Sequence, residues 1–162
     1  MTEDWSEFFV AIAGAAAALA GLIIVAMSVT IKEILASRSL PSRAATTVSS
    51  MVLILVIAVL ALIPHQPDVA LGVEILVASL IGLAPPLVMV LRMASDSSYH
   101  RSASSIAFIG ALCIVPVVLA VLGGAFMIAG NTVAVALLAA AIVAVLASSM
   151  LNAWVLLVEI QR

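Results

Sequence analysis

The sequence predicts an all-α fold: a bundle of five transmembrane helices that forms a single integral membrane domain. Of the 162 residues, 66% are hydrophobic and only 9% are charged, whereas ordinary soluble domains are about 25% charged. Five apolar runs divide the chain, and each reaches the roughly 20 residues that a helix needs to cross the hydrocarbon core. None of the runs shows the alternation of polar and apolar residues that marks a transmembrane strand.

The five runs give the expected spans in chain order. They cover Phe8 to Ile31, Ala44 to Ile63, Val69 to Leu91, Ile106 to Ala129, and Thr132 to Val158. The fifth run is long enough to require some tilt or an extension past the membrane. Only Gly130 and Asn131 separate the fourth span from the fifth, and both residue types tolerate left-handed backbone conformations. We therefore expect these two spans to form a tight antiparallel hairpin.

The basic residues predict the orientation of the bundle. All six fall in alternate gaps between the spans: Lys32, Arg38, Arg43, Arg92, Arg101 and Arg162. Basic residues in short loops stay in the cytoplasm. The N-terminus is therefore expected outside and the C-terminus inside, in a multi-pass protein of the cell inner membrane. The charges of the first cytoplasmic loop, from Lys32 to Arg43, are expected to interact with anionic lipid headgroups.

Aromatic residues support the same orientation. Trp5, Phe8 and Phe9 precede or open the first span, and we expect them at the outer interface. Tyr99 and Trp154 are expected at the inner interface. Such belts are typical of membrane helices, because amphipathic rings favour the headgroup level.

Three stretches of the chain carry a resemblance. They are Trp5-x-x-Phe8-Phe9-Val10-Ala11 with the small residues that follow, Leu40-Pro41-Ser42-Arg43-Ala44, and the segment from Asn152 to Ile160. Together they resemble a group of small, uncharacterised, multi-spanning bacterial inner-membrane proteins. The resemblance implies a bacterial source. It supplies no functional residues, because no activity is established for that group.

Small residues form a stripe along the first span. Gly14, Ala18 and Gly21 lie on one helical face. Because lipid offers no hydrophobic drive for helix association, close backbone approach at small residues is a main source of packing energy in membranes. The stripe is therefore a candidate helix-packing face. Two interpretations remain open: packing within the chain against the fourth or fifth span, and contact between subunits.

Prolines interrupt two of the predicted spans. Pro85 and Pro86 lie inside the third span and remove the hydrogen bonds to the carbonyls of Ile81 and Gly82. Such a pair is expected to kink or break the helix. Pro116 lies near the middle of the fourth span. Kinks that fit the bundle are one interpretation, and a gate or an ion-coordinating break is the other.

Two polar positions within the spans are candidate functional residues. Glu74 is the one acidic residue well inside an apolar run, about one turn from the outer interface. A hydrogen bond to Gln66 or Asn131 would make its role structural, whereas a cation, proton or ligand would make it functional. Asn152 lies near the inner end of the fifth span, with Ser148 and Ser149. Hydrogen bonding between helices is expected there, and the lining of a polar cavity is the alternative.

The sequence favours a non-enzymatic function. It carries no catalytic constellation and no cofactor fingerprint, and His65 with scattered carboxylates is a weak metal pattern. We therefore expect neither enzymatic activity nor a cofactor or bound metal. The favoured function is a polytopic membrane protein that assembles with itself or serves as an accessory subunit of a larger membrane complex. The alternative is a homo-oligomeric channel or small-solute transporter. The expected partners are the lipid bilayer and copies of itself or other membrane subunits. A net charge of −2 argues against nucleic acid as a partner.

Overall fold

The computed structural model describes residues 3–36, 40–95 and 103–160, and this part of the chain is helical without strands. Within these ranges a 3-10 turn, Glu3–Trp5, precedes seven α-helices. They are α1 (Ser6–Val29), α2 (Ile31–Ala36), α3 (Leu40–Ala61), α4 (Asp68–Gly82), α5 (Ala84–Ser95), α6 (Ala103–Ile128) and α7 (Val133–Ile160). By length and composition, five of the described segments can cross a membrane: α1, α3, α4 with α5, α6, and α7. The chain is therefore a multi-pass membrane protein.

The α3 helix is at the centre of the bundle. It packs against α1, α4, α5 and α7, whereas α6 packs against α4, α5 and α7. Of the most apolar stretch of α3, 56% is buried, compared with 11% for α1. The α1 helix therefore lies at the periphery and is held mainly through α3.

The bundle has two ends. The Arg43 end contains the start of α3 and the ends of α5 and α7. The end with the 62–67 connection and the 129–132 turn is called the Glu74 end. Successive spans run in opposite directions between these two ends, because each pair is joined by a short connection.

The core extends along the middle of the bundle and is almost entirely aliphatic. The α1 helix contributes a single stripe, Phe9, Ile12 and Ala16, to this core. Phe9 is fully buried, so its expected place in an interfacial belt is wrong. Its position on the face of α1 that packs against α3 explains the difference, and its ring meets that of Phe8 edge to face at 5.5 Å. Trp154, by contrast, is exposed, and Tyr99 lies outside the described residues.

The second span begins four residues earlier than the apolar run indicates. Leu40 opens α3 and packs with Met27 and Ile34, and Pro41 is tolerated in a first helical turn because the N–H it lacks would have no helical partner there. The segment expected to be a loop up to Arg43 therefore ends in helix. As a result, Arg43 lies inside the bundle instead of on a loop.

The third span breaks at Leu83, between α4 and α5. The prediction of a kink or break from Pro85 and Pro86 is confirmed. The disruption is short, because the Leu83 N–H donates to the Ser79 carbonyl at 3.0 Å and the Leu87 N–H donates to the Leu83 carbonyl at 3.1 Å. Pro116 has a smaller effect, since α6 continues through it.

The predicted hairpin between the fourth and fifth spans is present. Gly130 has a φ of 70°, the left-handed conformation that glycine adopts without strain. The Asn131 N–H donates to the Phe126 carbonyl at 3.0 Å, and the Gly130 N–H donates to the Met127 carbonyl at 3.0 Å. Asn131 itself is not left-handed; its side-chain oxygen instead accepts the Val133 N–H at 3.0 Å and caps α7.

Candidate functional site

A buried polar cluster at the Arg43 end is the most unusual feature of the bundle. The α3 helix contributes Arg43, Thr46, Thr47 and Ser50, which recur at helical spacing on its inner side. The α7 helix contributes Ser148, Ser149 and Asn152. All seven are buried, and Arg43 is only 2% exposed. Burying a guanidinium so completely costs several kcal/mol unless its surroundings are polar. The polar side chains around Arg43 therefore make its burial possible.

Asn152 links the two helices through every polar atom of its amide. Its Nδ2 donates to Thr47 Oγ1 at 2.7 Å and to the Arg43 carbonyl at 3.4 Å. Its Oδ1 accepts from Arg43 Nη2 at 3.3 Å. The hydrogen bonding between helices that the sequence predicts for Asn152 is therefore present, and its partner is the buried arginine of the central helix.

The hydroxyl groups of α3 are satisfied mainly within the helix itself. Thr46 donates to the Ser42 carbonyl at 2.9 Å, Thr47 to the Arg43 carbonyl at 3.0 Å and Ser50 to the Thr46 carbonyl at 2.8 Å. Bonds of this kind to the carbonyl four residues earlier allow hydroxyls to lie inside membrane helices at little cost. Thr47 Oγ1 therefore donates within its own helix and accepts from α7, and it closes the network.

The cluster offers hydroxyl groups, one amide and one positive charge. Hydroxyl nucleophiles need a general base beside them. Within the described residues the imidazole is that of His65, at the opposite end of the bundle, so none of these hydroxyls has one nearby. The arrangement is suited to holding α3 against α7.

The expected contact of Arg43 with lipid headgroups is wrong, because Arg43 is buried in the bundle. A signal for its burial was present in the sequence. Arg43, Thr46, Thr47 and Ser50 follow the spacing i, i+3, i+4 and i+7, which places them on one side of a helix. A polar stripe of this kind that leads into an apolar run indicates a buried network. No polar stripe leads from Lys32 or Arg92 into an apolar run, and both residues are exposed.

Glu74 lies at the opposite end and has a local partner. It is half-buried near the start of α4, and Gln66 Nε2 donates to its Oε2 at 2.6 Å. The sequence predicts Gln66 or Asn131 as the hydrogen-bond partner of Glu74, and Gln66 is the observed partner. His65, beside Gln66, has a φ of 58°, which turns the chain into the connection before α4. No group of three or more His, Cys, Asp or Glu side chains in the described ranges could hold a metal ion.

The two polar regions are separated by apolar side chains. On α7, Leu138, Ala141, Ile142 and Val145 are buried between the Glu74 end and the Arg43 cluster. On α3 the buried residues past Ser50 are likewise aliphatic or methionine. The α4 helix differs, because the hydroxyl of Ser79 is buried in it. The described side chains of α3 and α7 therefore offer no continuous polar route through the bundle.

Glycines join α4 to α6 at close range. A Cβ built on Gly124 would lie 2.9 Å from the Gly72 carbonyl oxygen and 2.9 Å from the Leu76 nitrogen. A Cβ on Gly72 would lie 3.0 Å from the Gly124 carbonyl oxygen. Direct contact between the two backbones therefore positions the third span, which carries Glu74 and the Pro85–Pro86 break, against the fourth.

The small-residue stripe of α1 does not take part in packing of this kind. Gly14, Ala18 and Gly21 are exposed, and nothing lies within 4 Å of a Cβ built on either glycine. At 3.6 residues per turn the stripe lies about 180° around the helix from Phe9, Ile12 and Ala16, the stripe that α1 buries. Packing of this face against the fourth or fifth span is therefore wrong, and the face looks outward from the bundle.

Comparisons with known proteins returned no similarity: no family model, no curated protein and no solved structure matches the chain.

Proposed function

We propose that the chain is a non-enzymatic membrane protein that assembles with further copies of itself through the exposed stripe of α1. The observation that carries the proposal is the outward position of Gly14, Ala18 and Gly21. A lipid-facing surface has no need of small residues, because acyl chains pack equally well against Leu or Val. A neighbouring helix does benefit from them, since van der Waals contact between backbones is a main attractive force between helices in lipid.

The peripheral position of α1 supports this proposal. One face of α1 is held by α3, and the opposite face is open along its length. An isologous contact between two copies would bring α1 against α1 of the second chain, and two-fold symmetry is the commonest arrangement of homo-oligomers. If the same face bound a helix of a different protein, the chain would be an accessory subunit of a larger complex.

A channel or small-solute transporter receives less support from the geometry. Its candidate residues, Glu74 and Asn152, belong to polar regions at opposite ends, and the buried side chains between them are aliphatic apart from groups such as the hydroxyl of Ser79. Each has a hydrogen-bond partner within the bundle. This distribution favours a pore between chains over a pore through one chain.

Gly21→Leu tests the proposal. We expect the variant to lose self-association in liposomes while its thermal stability stays unchanged or rises. The isobutyl group would prevent close approach of a second helix, whereas within the monomer it meets no atom within 4 Å of the Cβ. Leucine is also favoured over glycine in a helix by about 1 kcal/mol. Subunit counting by single-molecule photobleaching over a range of protein-to-lipid ratios measures the effect.

The matched control is Ala140→Leu, which adds the same side chain at an exposed position of α7. This variant is expected to associate like the wild type. Equal association of Gly21→Leu and Ala140→Leu would contradict assembly through α1. A wild type that stays monomeric at all ratios would contradict self-assembly. Retrieval of a partner protein through α1 would then test the accessory role.

The proposed location is the inner membrane of a bacterium, with the N-terminus outside and the Arg43 end in the cytoplasm. The positive-inside rule supports this orientation, and the resemblance of three stretches to small bacterial membrane proteins supports the source.

Cysteine accessibility tests the orientation. In a Cys113→Ala background, Thr132→Cys is expected to react with a membrane-impermeant maleimide on intact cells, and Ser95→Cys only after permeabilisation. Both residues are exposed and lie at opposite ends of the bundle, and both substitutions preserve side-chain size closely. The reverse labelling pattern would contradict the proposed orientation.

A further inference from the structure

A groove between α3 and the third span has the shape and the chemistry of a lipid site. Its volume is about 400 Å³, within the range of ligand pockets, which runs from about 300 to 1,000 Å³. It opens sideways between the two helices. The walls are almost wholly apolar and include Val48, Val52, Val56, Ala78, Ile81 and Pro85.

The break in the third span and its small residues create this groove. Ala78 and Gly82 present little side chain towards α3 just before the helix is interrupted at Leu83. At Gly82 the available space is filled by Leu53, whose Cδ2 lies 2.7 Å from a Cβ built there. The space beside it stays open, because Val52 and Val56 point away from the core and are exposed. A bilayer surrounds this opening, so acyl chains are the molecules at hand to enter it.

A basic residue continues the track of the groove towards the Arg43 end. Pro85 lines the groove, and Val88 and Arg92 follow it on α5 at i+3 and i+7. Seven residues along a helix return to nearly the same face, displaced by about 10 Å along the axis. Val88 and Arg92 are both exposed, so the surface between the groove and the guanidinium is uncovered.

This combination matches an anionic phospholipid. The groove takes an acyl chain, and Arg92 lies where a phosphate at the membrane surface would be. An arginine fork binds phosphate through paired N–H donors. An acyl chain gains no hydrophobic free energy when it enters the groove, because it already lies in the hydrocarbon of the bilayer. Selectivity must therefore come from the charge at the headgroup and from the fit of the chain.

We propose that the groove between α3 and the third span binds one anionic phospholipid, with an acyl chain between Val52 and Pro85 and its phosphate at Arg92. The site is independent of the assembly face on α1, which lies on a different helix. A lipid held here would cover the exposed apolar walls and brace the broken third span against the central helix.

Photocrosslinking tests the proposal on the full chain in phosphatidylcholine nanodiscs. The probe is phosphatidylglycerol that carries a diazirine in one acyl chain, and adducts are mapped by peptide mass spectrometry. We expect adducts concentrated on residues 48–56 and 78–85. Unlabelled phosphatidylglycerol should compete about fivefold better than phosphatidylcholine, which is the effect of one basic residue at an anionic surface.

Two matched pairs of variants separate the tail and headgroup parts of the site. Val52→Phe should fill the groove and remove the adducts. Val59→Phe introduces the same ring on the same face of α3, two turns from Val52 and outside the groove lining, and should not. The two valines are 48% and 52% exposed, so both variants are expected to fold. Arg92→Gln should abolish the preference for phosphatidylglycerol and Arg92→Lys should retain part of it, whereas Lys32→Gln, which removes another exposed charge, should leave it intact.

Four outcomes would overturn the proposal. Adducts spread evenly over all exposed helix faces would show that the groove holds no particular lipid. Equal labelling of the Val52→Phe and Val59→Phe variants would exclude the tail site. Displacement of the probe by soluble glycerol phosphate would assign Arg92 to a free anion. If adducts formed in the groove only after the protein was diluted, the occupant of the groove would be a second copy of the chain.

Discussion

Replacing Gly124 with leucine is expected to prevent the chain from folding into a stable bundle. At this position a Cβ would lie 2.9 Å from backbone atoms of both Gly72 and Leu76, so no side-chain rotation can relieve the clash. Overpacking in a well-packed core typically costs about 1–3 kcal/mol, and a rigid backbone contact places Gly124→Ala in or above that range. Leucine adds three more carbon atoms to the same space and would separate α4 from α6.

The measurement is thermal unfolding of the purified protein in a mild detergent, followed by circular dichroism and by size-exclusion chromatography. Gly124→Ala should lower the melting temperature, and Gly124→Leu should yield little monodisperse protein. Gly14→Ala is the matched control. Nothing lies within 4 Å of the added Cβ there, and alanine in an exposed helix is favoured over glycine by about 0.5–1 kcal/mol. If Gly124→Ala and Gly14→Ala behaved alike, the close approach of α4 and α6 would be contradicted.

Asn152→Leu is expected to produce the second large loss of stability. The substitution keeps a similar volume but removes the acceptor of Arg43 Nη2 and the donor to Thr47 Oγ1. Both partners are buried, and the loss of a hydrogen bond by a buried polar group costs about 1–3 kcal/mol, with more for a charged group. A free energy of unfolding from denaturant titration in mixed micelles would report the change.

Ser148→Ala provides the comparison for this prediction. Ser148 is also buried on α7, but its hydroxyl donates to the Val145 carbonyl of its own helix at 3.0 Å, so its removal should matter little. A double-mutant cycle of Asn152→Leu with Thr47→Val isolates the contact between the helices. Such cycles in membrane proteins give about 0.6 kcal/mol on average and up to about 1.7 kcal/mol. A coupling of zero would mean that the amide of Asn152 does not hold α7 to α3.

The outline of this protein follows from its sequence alone. Runs of about 20 apolar residues can satisfy their backbone groups in lipid only as helices, so the number of spans and the helical class are determined locally. The same is true of the turn at Gly130 and of the break before Pro85 and Pro86, because both depend on the backbone chemistry of the residues concerned. The candidate positions of Glu74 and Asn152 were likewise visible as polar residues inside apolar runs.

Tertiary structure determines which neighbours these residues contact. All sides of a membrane helix can be apolar, so hydrophobicity does not say which face turns inward. For this reason the sequence leaves open whether the small-residue stripe of α1 packs within the chain or against another subunit, whereas the structure shows that α1 buries the opposite stripe. Arg43 was assigned to the headgroups because a charge beside an apolar run is usually solvated. Only the crossing of α3 and α7 places the amide of Asn152 against it, and that contact joins residues 109 positions apart. The hydroxyls at i+3, i+4 and i+7 from Arg43 indicate that this side of α3 is buried, but which group Arg43 contacts there depends on the crossing of α3 and α7.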